Sequence, residues 1–393
     1  MAKRKVNLLI VCSLLFITGC WDQVAIEERG FVVGSSIDMG EEQQEENLNI
    51  KLTNQIVIPS GLGTPSTGSG EQKAYMNIAA SGNSLFEISR EMISQMSRAP
   101  YYEHLKIVVV SEEVAKESGV FPSIMDVFLR EQQMRRSIKV IISEEEAAKI
   151  LETDTKMEKL PAMYINEILE NSVRTIETVA PVRMGEIHEF LLNKSSFVLP
   201  RALLKGKMMN DSGGAVFRGS DDKMIGTLTS DEVKGLNLIA HKTRDGIINF
   251  KVNDQLMIYD IQGTKSSIKI DVKDKDQVNI SIIIEAKGGI GEVFGSQSLL
   301  TSERFKQIEE QINKKIEELA TNTLEKAQEE LNADIFGFNA ILKQRHYDQW
   351  QKLKKDWDKE GNAFSNAKIS VTAKAQVRMT GVTEKTKDKG IGE

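Results

Sequence analysis

Residues 303–319 read ERFKQIEEQINKKIEEL. Phe305, Ile308, Ile312, Ile316 and Leu319 recur at spacings of three and four, which places them on one face of an α-helix and the charged residues on the other. The stripe predicts a helix from Glu303 to about Leu331. Too few heptads are sustained for a coiled coil, so the apolar face is expected to be covered by the protein's own sheet. That sheet is written on either side of the helix, with apolar or alternating runs at 256–261, 267–272 and 278–286 before it and at 369–377 after it. Residues 254–393 therefore read as a C-terminal domain, a long helix on an antiparallel-type sheet, ending in a Lys, Thr and Gly-rich tail expected to fray.

Upstream the texture changes twice. Residues 31–38 and 48–58 read as strands around the acidic patch Glu41, Glu42, Glu45 and Glu46, and the Gly, Ser, Thr and Pro-rich 60–70 reads as a loop. Next, Ser84 and Glu87 have the spacing of a capping box ahead of a helix over 85–96, whose apolar face is Leu85, Ile88, Met92 and Met96. Buried strands at 105–110 and 138–142 alternate with helices from 111 and over 127–134, and Ser143 with Glu146 marks a helix to 151. This is an N-terminal α/β domain over 20–155. A middle α+β domain over 156–253 follows, with helices at 163–173 and 184–192, a strand pair over 197–209 broken at Pro200 and Gly206, a turn at Asp221-Asp222-Lys223, a Thr229/Glu232 capping box and a strand at 247–252. The fold class is α+β, three consecutive mixed domains, and 393 residues are enough to give each a core.

The chain opens with Lys3, Arg4 and Lys5, an apolar run over 6–17, then Thr18, Gly19 and Cys20. That is the order of a signal peptide, residues 1–19. The run is about 12 residues against the ~20 a membrane-spanning helix needs, so it serves export and is expected to be removed between Gly19 and Cys20. Ile17-Thr18-Gly19-Cys20 resembles the bacterial lipobox, in which the cysteine sulfur takes a diacylglycerol before cleavage, so Cys20 is the expected lipidation site. Cys12 leaves with the leader, and Cys20 alone cannot form an internal disulfide. Two acyl chains, at ~0.8 kcal/mol per buried CH₂, give stable attachment where one would be marginal. The leader carries three of the 51 basic residues and none of the 57 acidic ones, so the mature chain is expected at net −9. It will not hold nucleic acid or anionic lipid by bulk charge, and no single-sign patch stands out along the sequence.

Signatures of catalysis are missing. There is no Walker loop and no G-x-S-x-G elbow. His188-Glu189 has Leu192 where a zinc helix would carry its second histidine. Gly289, Gly291 and Gly295 have the wrong spacing for a dinucleotide loop and read as a strand end and turn, and His104, His188, His241 and His346 are scattered. No metal, cofactor or catalytic residue is expected, and the sequence points to no ligand-binding residue.

Gly19-Cys20-Trp21-Asp22, then Glu27, Arg29-Gly30 and Ile37-Asp38, resembles the start of the C-subunit lipoproteins of bacterial spore germinant receptors, the Ger(x)C family. Arg98-Ala99-Pro100, His104-Leu105-Lys106 and Phe128-Leu129-Arg130 look like that family's first domain. Gly219, Gly226-Thr227-Leu228 and Glu232 look like its second. Asp334-Ile335-Phe336-Gly337-Phe338 and the spaced Trp350 and Trp357 match its closing pattern. From the residues alone, the two tryptophans read as one face of a helix packed on the terminal sheet. The resemblance implies a non-catalytic subunit in assembly or signal relay during germination. It would sit on the outer leaflet of the spore inner membrane beside integral-membrane A-type and permease-like B-type subunits. A solute-binding lipoprotein of an uptake system would share the leader, but it would repeat two similar lobes.

Overall fold

The computed structural model describes residues 25–40, 48–63, 73–155, 157–240, 245–273, 277–293, 302–359, 361 and 363–378. The leader, Gly19, Cys20, the acidic patch at 41–46, His241 and the C-terminal tail lie outside the described residues.

Strands β1 (Arg29–Met39), β2 (Ile50–Val57) and β3 (Tyr75–Gly82) form an antiparallel meander. Helix α1 (Leu85–Gln95), β4 (Ala99–Tyr101), β5 (Ile107–Ser111), α2 (Val120–Arg130), β6 (Lys139–Ser143), α3 (Pro161–Asn171), β7 (Val182–Arg183) and α4 (Met184–Asn193) follow. The hairpin strands β8 (Phe197–Lys205), β9 (Met208–Arg218) and β10 (Lys223–Leu228) complete one ten-stranded sheet of order β10-β9-β8-β6-β5-β1-β2-β3, with β4 on β1 and β7 on β6. Its centre, β8-β6-β5-β1, is parallel. Strands buried on both faces need apolar residues throughout, as Ile107 to Val110 and Val140 to Ile142 supply. On one face Val108, Val110 and Ile142 pack with Ile88, Met92, Phe121, Met125 and Ile187 of α1, α2 and α4. On the other, Ile107, Val109 and Ile141 pack with Ile165 and Leu169 of α3. The expected boundary at 155/156 falls inside this hydrogen-bonded sheet, since β6 pairs with both β7 and β8.

Several local readings are corrected. The second helix spans 120–130 rather than 127–134, because Gly119 at φ 75° supplies the left-handed turn that starts it. Ser84 caps α1 with its carbonyl, which accepts from the Ile88 N–H at 3.0 Å, and makes no side-chain cap. Ser143 caps nothing, and its hydroxyl is buried without a partner. The short helix Ala147–Ile150 is capped instead from the end of β1: the Asp38 carboxylate accepts the backbone N–H of Ala147 and of Ala148 (3.0 Å). Burial pushes that carboxyl up to about 6 against those two donors. Residues Pro59–Leu62 form one helical turn in what reads as loop.

Helix α5 (Ser230–Ala240) joins this sheet to the second. Its capping box is present: Glu232 accepts the Thr229 N–H at 2.7 Å, and Thr229 Oγ1 accepts the Glu232 N–H at 3.4 Å. The second sheet has order β11 (Gly246–Val252), β12 (Gln255–Lys273), β13 (Gln277–Val293), β14 (Lys368–Arg378). The runs at 256–261 and 267–272 are one strand, β12, bent by register shifts at Ile258/Tyr259 and Ile261/Gly263. Gly289 and Gly291 continue β13 instead of turning, and Gly295 lies outside the described residues. At Gly288 a Cβ would lie 2.1 Å from the Asp260 carbonyl oxygen and 3.0 Å from the Tyr259 ring, so the bend demands glycine there.

The long helix, α6 (Ser302–Glu325), runs on through a π-helical turn at Lys326–Glu330 and buries Ile308, Ile312, Ile316 and Leu319. Glu309, Asn313 and Glu317, one turn apart along its flank, accept the backbone N–H groups of Val377 (2.9 Å), Ala375 (2.5 Å) and Ala373 (2.9 Å). β14 is parallel to β13 and would otherwise present those donors unpaired at the sheet edge. The two sheets differ in size and order and are not a repeat of one lobe.

Candidate functional site

The string DIFGF, 334–338, ends the long helical run and starts α7 (Phe338–Arg345), which leads into α8 (Tyr347–Leu353). Asp334 is fully buried. Its Oδ1 accepts the backbone N–H groups of Phe336 (3.2 Å), Gly337 (3.1 Å) and Phe338 (3.2 Å). Its Oδ2 accepts those of Asn339 (2.7 Å) and the Trp357 indole (2.9 Å). One carboxylate thus satisfies donors at the start of α7 that would otherwise be orphaned, while Gly337 at φ 80° lets the chain wrap it.

Asp358 completes a knot between the two sheets. Its Oδ1 accepts the Asp334 N–H at 2.8 Å, and its Oδ2 accepts the Ser196 hydroxyl at 2.8 Å. Ser196 Oγ in turn accepts the Gly219 N–H at 3.0 Å. Burial pushes both carboxyls up, and the Asp334 charge helps drive Asp358 to about 7. Both oxygens of Asp334 face only donors, which favours its charged form, so of the two carboxyls Asp358 is the more readily protonated. Asn339 Nδ2 donates to Ser195 Oγ (2.9 Å) and Arg218 donates to the Leu331 carbonyl (2.9 Å), so this corner of the molecule is held rigidly.

Over the knot lies an open groove of about 1150 Å³ between the C-terminal end of α4 and the α7–α8 pair. Phe190, Trp350 and Trp357 contribute its apolar lining, and Lys194, Lys343, Lys354, Lys355 and Lys359 contribute its charge. The tryptophan rings meet edge to face at 5.9 Å and 72°. They do not share a helix: Trp350 sits in α8, half-buried, whereas Trp357 lies in the turn beyond it, in the core with Phe364. This corrects the single-face reading of the pair. The lysines come from segments about 150 residues apart, which is why no patch is visible along the sequence.

A smaller cleft of about 370 Å³ lies where β1, β5 and β6 end, lined by Asp38, Glu112, Glu144 and Glu146 among others. Several of its charges are answered internally. Arg201 pairs with Glu112 and with Glu144 (3.2 Å), and Lys51 pairs with Glu146 (3.2 Å). Among the described residues no group of three or more His, Cys, Asp and Glu side chains is arranged to hold a metal. The described histidines stand apart: His104 against Phe31 and Tyr101, His188 beside Arg136, and His346 at the start of α8. Gly19 and Cys20 lie outside the described residues, so the geometry does not bear on them.

Comparison with known proteins gives a consistent answer along the chain. Residues 22–203 match the family described as the spore germination protein N-terminal domain, and residues 212–381 match the one described as spore germination B3/GerAC like, C-terminal. Spore germination protein YndF of Bacillus subtilis (strain 168) is 30% identical, over 97% of this chain and 98% of its own. Spore germination protein A3 of the same organism is 26% identical, over 96% and 97%. The crystal structure of the GerBC protein shares the fold with a TM-score of 0.60 at 18% identity, over 87% of this chain and 97% of that one. With both of its halves matched and a full-length relative at that identity, the chain belongs to the spore germination B3/GerAC-like family, the C-subunit family of germinant receptors, which are receptor components and not enzymes.

Proposed function

We propose that this chain is the lipid-anchored C subunit of a nutrient germinant receptor, held by diacylglycerol on Cys20 to the outer leaflet of the spore inner membrane. There it acts in assembly or signal relay beside an integral-membrane A-type subunit and a permease-like B-type subunit. The observation that carries the reading is the order of the N-terminus: the family match starts at residue 22, directly behind the lipobox-like Ile17-Thr18-Gly19-Cys20. Cleavage before Cys20 would leave a mature protein that is family domain from its third residue onward. Among the described residues no helix is long and apolar enough to cross a membrane, so lipid supplies the attachment in this reading.

The test is Cys20→Ala in spores of the source bacterium, following membrane attachment and the germination response to a panel of nutrients. The expected result is loss of attachment together with loss of response to one class of nutrient. Unchanged attachment would refute the anchor. Lost attachment with every response intact would refute the receptor role.

A further inference from the structure

We propose that the groove between α4 and the α7–α8 pair is a docking site for an acidic, amphipathic segment of a protein partner in the same membrane. The inference rests on the receptor-subunit reading for where that partner sits, but not for the chemistry of the groove.

Charge is the first argument. The five groove lysines face two carboxylates in the lining, Glu189 and Asp358, and Asp358 is buried in the knot. Among the described residues Lys359 pairs with Asp356 (3.3 Å), while Lys343 donates to Asn193 and Lys354 to Gln351. Among the described residues none of Lys194, Lys343, Lys354 and Lys355 has a carboxylate at ion-pair distance, although the Lys194 charge acts on the Asp222 carboxyl. That is a local cationic excess in a chain of net charge −6. Lysines in excess of carboxylates over an apolar lining complement a ligand that is acidic on one face and apolar on the other.

The apolar part of the surface makes the same case. Leu192 is 70% exposed and Tyr347 58%, flanking the half-buried Trp350. Tryptophan and tyrosine are among the residues that dominate the energetics of protein interfaces. The groove is open along one side, so a length of polypeptide can lie in it.

Position is the third argument. β1, β5, β6 and β8 run parallel, with Gly34 opposite Ile107, Ile107 opposite Lys139, and Ile142 opposite Arg201. The start of β1 at Arg29 and the start of β8 at Phe197 therefore lie along the same edge of the sheet. The groove residues Lys194 and Ser195 immediately precede β8, so the groove opens on the edge where the chain enters from its N-terminus. A tether at Cys20 would put that edge nearest the membrane, within reach of a juxtamembrane segment. The surface is concave and the rest of the body acidic, which fits a segment entering the groove better than a flat anionic bilayer.

The test is photo-crosslinking of the full lipoprotein in spore membranes, with benzoylphenylalanine at Leu192 or at Tyr347, and identification of the captured peptide. The same is done with Lys194→Glu and Lys355→Glu combined. These are surface positions outside the knot, and circular dichroism checks the fold. The expected result is capture of a net-acidic amphipathic segment of a membrane protein. The double reversal should lower its yield by roughly tenfold, and lysines placed in the captured segment should restore it. Cross-links to lipid only, to a second copy of this chain, to a segment without acidic excess, or to nothing would overturn the proposal, as would a yield indifferent to the reversal. The two readings fail separately. A persisting cross-link with attachment indifferent to Cys20→Ala sinks the anchor alone, and Cys20-dependent attachment with no cross-link sinks the docking site alone.

Discussion

Replacing Asp334 with alanine strands five donors at once, four of them buried: the N–H groups of Phe336, Phe338 and Asn339 and the Trp357 indole, with that of the half-buried Gly337. Each unsatisfied buried donor costs ~1–3 kcal/mol. Members of one network do not add, and single substitutions rarely exceed ~4–5 kcal/mol, so about 4 kcal/mol is expected for Asp334→Ala. Asparagine separates the parts of that loss. It keeps an acceptor for the three Oδ1 bonds but turns an NH₂ toward the Asn339 N–H and the indole, so about 2–3 kcal/mol is expected. The assay is equilibrium urea unfolding of the chain without its leader, followed by tryptophan fluorescence, to which Trp350 and Trp357 report from the knot itself. Against a typical ~5–15 kcal/mol of stability, either change moves the midpoint well beyond error. If Asp334→Ala costs less than ~1 kcal/mol, the knot is incidental and the argument built on it is wrong.

The other predictions concern protonation and packing. Asp38 and Asp211, each pushed up to about 6, and Asp358, at about 7, hold protons in the folded chain that the unfolded chain, near 3.8, has already released. Their contribution to stability is therefore full below about pH 4 and is lost as pH rises through about 7. Asp358→Asn should flatten that curve above about pH 6 and make the variant more stable than the parent at pH 8 by roughly 2 kcal/mol, read by thermal melts at several pH values. Gly288→Ala, with its Cβ driven into the Asp260 carbonyl, should lower the urea midpoint by the equivalent of roughly 2 kcal/mol, and an unchanged midpoint would show that β12 can shift to admit it. Thr229→Ala should cost about 1 kcal/mol by removing the cap of α5, and should leave the Lys326–Glu232 ion pair (2.9 Å) in place.

What could be read from the sequence divides by range of interaction. The stripe of Ile308, Ile312 and Ile316 and the Thr229/Glu232 box are local signals, and both stand in the fold as read. The same local logic failed at Ser143, because Asp38, 109 residues before the capped Ala147, supplies the cap. It failed again at β12, where two apolar runs separated by Gly263 are one strand whose continuity is set by its pairing with β13. Sheet membership is non-local by nature: nothing near residue 182 announces that β7 will lie beside β6. The knot and the groove are harder still. DIFGF is visible as a string, but that its aspartate collects an indole 23 residues away is knowable only from the fold. Lys194 and Lys355 become neighbours in one groove only when the C-terminal segment docks on the first sheet.

For a protein built on sheets, association through an open edge is as great a hazard as unfolding. The contacts of Glu309, Asn313 and Glu317 with β14 bear on this directly. An exposed parallel strand is a template on which a neighbouring chain can continue the sheet, and such fusion is hard to reverse. By occupying three successive outward amides of that strand, one flank of α6 blocks pairing along that stretch of the edge. A helix that at first sight merely covers a core is also the device that terminates a polymerisable surface.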